Sequence, residues 1–422
     1  MTQKLNFKIS LITHNYFIIL FAFIPISIIA GSTISLINIL LIDISFVVLL
    51  LIKKDYSFIT NKSFRLLILL YLYLIFNTFI SYDFYLSAPR NFGFIRMIIL
   101  FLAINYFFNV KFFFKKIFLL WTLFFLIILI DVFYEAYNGP NILGFISPYE
   151  KRIVSFFKDE PIVGGFIGAF FLILIGFYAN EYNKYKILIS TISIIFILSI
   201  LITGERSNFL KSFFGIIVFY FFYKEFSLKF KSLIVILLVL CFSISLFNSN
   251  FLQNRFIHQI KKIVIDKEGN DYFRLQKSGL EVANEKKFFG VGNKNYRIAT
   301  CIDQEKALKE RVYFRKYCST HPHQIYVEFL SEHGIFGFIL LFFIFYKMIF
   351  SKIRQVFNSN NYISIGALCY LMFTFIPIIP SGAFFSDFSL NLFFINLSIF
   401  YASNSNMNLF SRSALNEIKK NY

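Results

Sequence analysis

The feature that most constrains this chain is a succession of continuously apolar runs, each about 17 to 20 residues long, the length a helix needs to cross a bilayer core of roughly 30 Å. Such runs lie near residues 15–31, 34–52, 64–82, 92–109, 117–135, 162–179, 186–203, 207–223, 231–249, 333–350, 361–379 and 384–402. They are uninterrupted rather than alternating, so they predict helices and not the strands of a barrel. Only 15% of the residues are charged, against roughly 25% in soluble domains, which excludes an ordinary water-soluble globule. The expected fold class is an all-α membrane protein of about 12 transmembrane helices. The first run carries no small-residue cleavage pattern, so it reads as a retained helix rather than a signal peptide.

The net charge of +19 would suit a nucleic-acid binder, but in a protein of many spans it has a commoner source, the Lys and Arg excess of cytoplasmic loops. With the N-terminus inside, alternate connections carry Lys53, Lys54, Lys62 and Arg65; then Lys111, Lys115 and Lys116; then Lys184 and Lys186; then Lys224, Lys229 and Lys231; then Lys352 and Arg354. The short loops opposite hold almost none. Both termini are therefore expected in the cytoplasm, with Arg412, Lys419 and Lys420 in a cytoplasmic tail over 403–422. No nucleic acid is expected as a partner, and membrane lipids are.

Two segments on the other face are longer than a turn, 136–161 and 250–322. The expected organisation is helices 1–9 over 1–249, a basic and mostly helical periplasmic cap over 250–322, helices 10–12 over 323–402, and the tail. In the cap Lys and Arg outnumber Asp and Glu. A basic external surface suits an anionic substrate or anionic lipid headgroups.

Cys241 and Cys369 fall inside apolar runs and read as packing residues. Cys301 and Cys318 both fall in the cap, on what this topology makes an oxidising face in a Gram-negative cell, and are expected to form a disulfide that staples the approach to His321. No Cys-x-x-Cys or His-x-x-x-His spacing accompanies them, so neither a metal nor another cofactor is expected.

Polar groups at the outer ends of the runs are the candidates for chemistry. Arg206 stands in the tight turn Thr203-Gly204-Glu205-Arg206-Ser207-Asn208, Arg152 in the 136–161 loop and Arg274 in the cap. Converging guanidinium groups suit the oxygens of a pyrophosphate. Glu205, beside Arg206, could form an ion pair with it and partly offset its charge. His321, His323 and His333 could each act as a base near neutral pH, and position alone does not choose among them. Within the runs Asp43, Arg96, Asp131 and Asp387 are buried charges with either a functional or a pairing role. Gly334 and Gly337 permit close approach by a neighbouring backbone or a lipid tail.

His323-Gln324, nine further residues and then Gly334-Ile335-Phe336-Gly337 resembles the His, amide or small residue, nine others, Gly-x-x-Gly pattern of the bacterial O-antigen ligase and O-antigen polymerase superfamily. Arg206-Ser207 in an outer turn, Arg274 about fifty residues before the histidine, and Phe289-Gly290-Val291-Gly292-Asn293-Lys294-Asn295-Tyr296 fall in the same order, covering roughly 145–340. The resemblance implies a multi-pass glycosyltransferase of the bacterial inner membrane with its active site facing the periplasm. It implies transfer of a glycan from an undecaprenyl-pyrophosphate-linked oligosaccharide donor to a hydroxyl of a glycan or lipid A-core acceptor, metal-independent and with inversion, as polymerase or ligase. Carried over residue by residue, His323 becomes the general base, Arg206 and Arg274 the pyrophosphate ligands with Arg152 a weaker third, and His321, Gly334 and Gly337 possible supports.

The rival reading from another class is a flippase of lipid-linked oligosaccharide. It predicts a charged central cavity open to both faces and, commonly, two related halves. Here the candidates cluster beside one large cap and no internal repeat is visible.

Overall fold

The computed structural model describes residues 14–108, 111–149, 151–266, 269–310, 316–377 and 379–410. Among them there is no β-strand. The helices are α1 (14–22), α2 (Ile24–Ala30), α3 (Ser32–Lys53), α4 (Lys62–Phe79), α5 (Phe84–Phe92), α6 (Ile95–Phe107), α7 (Lys111–Asn138), α8 (Val163–Glu181), α9 (Lys186–Ile202), α10 (Arg206–Phe222) and α11 (Leu228–Asn248). There follow α12 (Asn250–Gln253), a π-helical turn (Asn254–His258), α13 (Gln259–Ile265), α14 (Asp271–Glu285), α15 (Tyr296–Glu310), α16 (Ile325–Met348), α17 (Ile353–Phe357), α18 (Tyr362–Thr374) and α19 (Asp387–Ala402). Of the tail, Arg412, Lys419 and Lys420 lie outside the described residues.

Helix occupies every apolar run, and 7 helices are long and apolar enough to cross a membrane, with shorter apolar helices at Lys186–Ile202, Tyr362–Thr374 and Asp387–Ala402. This is a membrane protein. The innermost helix is α8, packed on α18, α9 and α10. Glycines allow that packing: Gly176 lies against the backbone of Tyr362 and Ile363, and Gly366 against that of Leu172, so a side chain at either position would push α8 and α18 apart. By contrast α11 buries little and presents Ile236, Val239, Leu240 and Ile244 outward, where lipid tails rather than protein would cover them.

The structure departs from the apolar runs at two places, both close to the candidate residues. Residues 84–92, which no run covers, form α5, capped by the Asp83 carboxylate on Tyr85 and Leu86 N–H at 2.8 and 3.2 Å. The tenth helix begins at Ile325 rather than near 333, because Gln324 caps it, and it is broken at Gly334, whose φ of 64° and ψ of −172° no helix contains.

Segment 287–292 fills that break. Val291 and Gly292 N–H donate to the Ser331 and Glu332 carbonyls at 3.0 and 2.9 Å, while Ile335 and Phe336 N–H donate to the Lys287 and Phe288 carbonyls at 2.8 and 3.1 Å. The interrupted helical bonds are thereby replaced, as buried backbone groups require. Gly334 packs on the backbone of Phe288 and Phe289, and Gly290 in return on that of Glu332 and His333. Gly337 instead faces the Tyr73 hydroxyl.

The charges inside the runs are largely paired. Asp387, the first residue of α19, binds both Arg90 and Arg96. Asp131 accepts from Ser155 Oγ at 2.5 Å and Ile142 N–H at 2.9 Å, and Glu135 one turn later accepts from Val154 and Ser155 N–H at 2.9 and 2.6 Å. Asp43 is buried and, among the described residues, neither carboxylate oxygen has a hydrogen-bond partner.

Cys301 in α15 and Cys318 are joined by a disulfide across 17 positions, and Cys241 and Cys369 are free. A bridge closing a loop of this size contributes about 3 kcal/mol in the chain-entropy model. Reduction, or Cys301→Ser with Cys318→Ser, is therefore expected to lower the thermal midpoint of the purified protein, followed by intrinsic fluorescence with and without dithiothreitol. Cys241→Ser serves as control, and equal midpoints for the bridged and reduced protein would remove the bridge from the stability of the cap.

Candidate functional site

The segment Thr320-His321-Pro322-His323-Gln324 joins the cap to α16, and its geometry follows from the amide beside the histidine. Gln324 Oε1 accepts from Val327 N–H at 2.8 Å, capping α16, while its Nε2 donates to the Pro377 carbonyl at 2.8 Å. One turn along, Glu328 accepts Phe384 N–H on both carboxylate oxygens at 3.0 Å each. The loop before α19 is thus tied to the start of α16. From the other side α14 packs on α16, with Gly279 against Val327 and Pro322.

His323 has a φ of 55°, a left-handed backbone that costs a non-glycine residue of order 1–3 kcal/mol and tends to be kept at functional positions. Its carbonyl accepts Ser381 N–H at 3.0 Å. Its ring meets the Tyr272 ring edge-on at 5.4 Å and the His321 ring at 4.0 Å between centroids. Burial holds the His323 imidazole below its ordinary pKa, partly opposed by a hydrogen bond to the Ser381 backbone. For His321, burial and the neighbouring His323 lower it to about 3. Both rings are neutral at neutral pH.

The two rings look into different cavities. His323 lines one of about 480 Å³ together with Arg206, Arg255, Lys262 and Tyr272. Arg206, at the start of α10, donates to the Arg255 carbonyl at 3.3 Å and to the Tyr272 hydroxyl. Arg255 returns the contact through Nε and Nη2 to the Gly204 carbonyl at 3.2 and 3.1 Å. This reciprocal clasp depends on the π-helical turn that carries Arg255, a local irregularity common at functional sites.

His321 lines the larger cavity, about 520 Å³, with Lys211, Lys294, Arg297, Glu328 and Glu332. Thr320 Oγ1 lies 2.9 Å from His321 Nδ1, and Nε2 is buried without a partner. Lys294 is set in place by its neighbours. Asn293 bonds Asn77 and Asn91 at 2.8 and 2.5 Å, and Asn295 bonds Asp83 N–H and Ser87 Oγ at 2.7 and 2.8 Å. The Phe289 to Tyr296 motif is therefore a polar anchor of the cap onto α4 and α5.

Of the sequence candidates, Arg206 and His323 share a cavity, and His321 stands beside them. Arg274 does not join them: its guanidinium lies 5.4 Å over the Tyr317 ring, because α14 turns it toward the segment that leads to His321. Arg152 donates to the Pro161 carbonyl at 2.9 Å and lines neither cavity. The Glu205–Arg206 pair is not formed. Glu205 instead accepts from Gly164 and Gly165 N–H at 2.6 and 3.0 Å and from Asn208 Nδ2 at 2.6 Å. The positive end of α8 takes its charge, leaving that of Arg206 to the cavity, and burial raises the Glu205 pKa. His333 is fully buried among Tyr73, Phe329 and Phe385, a core residue.

Residues 191–342 match a family described as O-antigen ligase. That segment is similar to the O-antigen ligase family. No curated protein matches the chain. The O-antigen ligase segment runs from α9 into α16 and contains the Arg206 and His323 cavity, the cap and the broken helix, whereas α8, α18 and α19, which close the larger cavity, lie outside it. The match supports a role in transferring glycan in O-antigen biosynthesis, with lipid-linked glycan and polysaccharide as the general substrate class.

Proposed function

We propose that this protein transfers a glycan from an undecaprenyl-pyrophosphate donor to an acceptor hydroxyl, as an O-antigen polymerase or ligase working on the periplasmic face of the inner membrane. The observation that carries the reading is the shared cavity of Arg206 and His323. In the reaction, the acceptor oxygen attacks the anomeric carbon from the side opposite the pyrophosphate, and its proton passes to His323. The bond between that carbon and the phosphate oxygen breaks, and undecaprenyl pyrophosphate leaves with the electron pair. A single displacement inverts the anomeric centre. Because the leaving group is already a pyrophosphate, cationic donors aimed at it and a base are sufficient as written, and no metal is called for.

Arg206 is the pyrophosphate ligand in this scheme, with Arg255 and Lys262 beside it. Arg274, stacked on Tyr317, acts through the His321–His323 segment rather than on the phosphate. The cap over 250–322 faces the periplasm, a placement supported by the Lys and Arg bias of the opposite loops and by the Cys301–Cys318 disulfide, which fits an oxidising compartment.

The test uses the full chain in nanodiscs with a lipid-linked oligosaccharide donor and a lipid A-core acceptor. Arg206→Met is expected to lower kcat/KM by roughly 10²- to 10³-fold, the usual scale for losing one group that stabilises developing charge, with Arg152→Met much milder. Wild-type turnover by Arg206→Met, or movement of the donor across the bilayer without a new glycosidic bond, would reject the reading.

A further inference from the structure

The larger cavity remains to be explained. The reaction as proposed uses His323, Arg206 and the cavity between them, yet His321 lines a separate space with three cations, Lys211, Lys294 and Arg297, and its buried Nε2 has no hydrogen-bond partner among the described residues. A second buried polar atom there, Ser381 Oγ, also lacks a partner. Buried polar groups left unpaired cost stability and usually mark a missing partner.

The carboxylates of this cavity do not neutralise it evenly. Glu328 spends both oxygens on Phe384 N–H. Glu332 accepts Tyr296 N–H at 3.2 Å and stands beside Lys294 and Arg297, whose charges it balances in part. Glu160 is exposed at the rim. Lys211 is different: among the described residues no carboxylate forms an ion pair with it. It shares a face of α10 with Asn208, three residues earlier, and both line the cavity together with Ser212, the next residue in the chain. A lysine placed in an apolar helix, facing a cavity and lacking an internal counter-ion, is a binding group by default.

We infer that the cavity lined by Lys211, Lys294 and Arg297 binds an anionic oxygen group of the acceptor, so that the acceptor of this enzyme carries a carboxylate or a phosphate close to the hydroxyl that reacts. The inference rests on the transferase reading and adds the acceptor's chemical class to it. The His321 and His323 rings are 4.0 Å apart and each lines one of the two cavities, so an acceptor held in the larger cavity is held beside the residue that takes its proton.

Binding to the purified full chain in nanodiscs decides the matter without requiring turnover. The probes are a galacturonic acid trisaccharide, the matching galactose trisaccharide and inorganic phosphate, followed by isothermal titration. The galacturonic probe is expected to bind at least about tenfold more tightly than the neutral one, a difference of one charge-assisted contact. Lys211→Met is expected to remove that preference while leaving the neutral probe unchanged, and Arg297→Gln to reduce it. Competition by phosphate at similar concentration assigns the site to phosphate-bearing acceptors, and its absence assigns it to acidic sugars. Equal binding of both trisaccharides, or an acidic preference that survives Lys211→Met, overturns the inference. The transferase reading is judged separately, by Arg206→Met: turnover that survives that change alongside Lys211-dependent binding would reject the reaction and keep the site.

Discussion

Replacing His323 by Ala is expected to reduce glycan transfer by roughly 10²- to 10⁴-fold, the range contributed by a positioned general base, while the folded protein is recovered in normal yield. The ring makes few structural contacts that a smaller side chain would leave empty: it meets Tyr272 and His321 at the edge of a cavity. The pH profile separates a base from a mere support. Burial places the His323 pKa below its ordinary 6.5, so the neutral form that accepts a proton persists as pH falls through 6.5 and is lost only nearer the lowered value. Wild-type kcat/KM should therefore stay level at and above neutrality and decline on an acid limb that lies below pH 6.5. The residual rate of His323→Ala should lack this limb. His321→Ala, which removes a ring facing the other cavity, should keep it. An acid limb unchanged in His323→Ala would end the assignment of this residue as the base.

The sign for stability runs the same way. A histidine whose folded pKa is depressed leaves the folded state with fewer bound protons than the unfolded chain between the two values. Stability is therefore lost as pH falls below 6.5 and continues to fall until the folded pKa is reached. His321, held at about 3, extends that window further down than His323. Acid inactivation by unfolding and acid inactivation by protonating the base are thus distinguishable, since only the second disappears in His323→Ala.

What the sequence revealed and what it concealed follow one physical division. Helices that must satisfy their own backbone in lipid write themselves as apolar runs, and each run was occupied by helix. The His-amide-Gly-x-x-Gly spacing likewise reports a local device, since Gln324 caps α16 three residues from Val327 and Gly334 breaks the same helix. Features made by residues distant in sequence were not visible. Nothing near Glu205 announces that its partner is the start of α8, 41 positions back, so a pair with the adjacent Arg206 looked natural. In helix α5 the polar Ser87 and Asn91 are buried, bonded by Asn295 and Asn293 from more than 200 positions away.

Lys211 was legible and overlooked. It is a charge inside an apolar run, by the same rule that singled out Asp43, Arg96, Asp131 and Asp387, and Asn208 and Ser212 mark its face. Lys294 lies within the Phe289 to Tyr296 motif, but its direction is set by a left-handed backbone, φ 63°, that the residue type does not suggest. Arg274, a guanidinium in the family's order along the chain, lies over the Tyr317 ring in this structure, a contact its residue type alone does not announce.

Gly334→Ala is expected to be a severely damaging single-methyl change. The backbone there, φ 64° and ψ −172°, belongs to a region that is essentially restricted to glycine and costs other residues about 1–3 kcal/mol. A Cβ would also enter the backbone of Phe288 and Phe289, and backbone cannot rotate aside as a side chain can. Relief requires segment 287–292 to move off α16, which strains the four hydrogen bonds of 2.8 to 3.1 Å that replace the broken helical ladder, each worth about 1 kcal/mol. The total, roughly 4 kcal/mol or more, is on the scale of a small domain's whole stability. Gly139→Ala provides the comparison. Its φ of 92° is also left-handed, but open space surrounds it, so only the conformational cost of about 1 kcal/mol remains. The expected result is little folded Gly334→Ala protein in detergent by size-exclusion chromatography and an early thermal midpoint, with Gly139→Ala close to wild type. Equal stability of the two variants would mean that segment 287–292 is not seated in the break of α16. The consequence reaches the chemistry, because the same segment continues into Asn293 and Lys294 and the same helix begins at His323, so the break that Gly334 permits is what joins the two cavities' walls to one another.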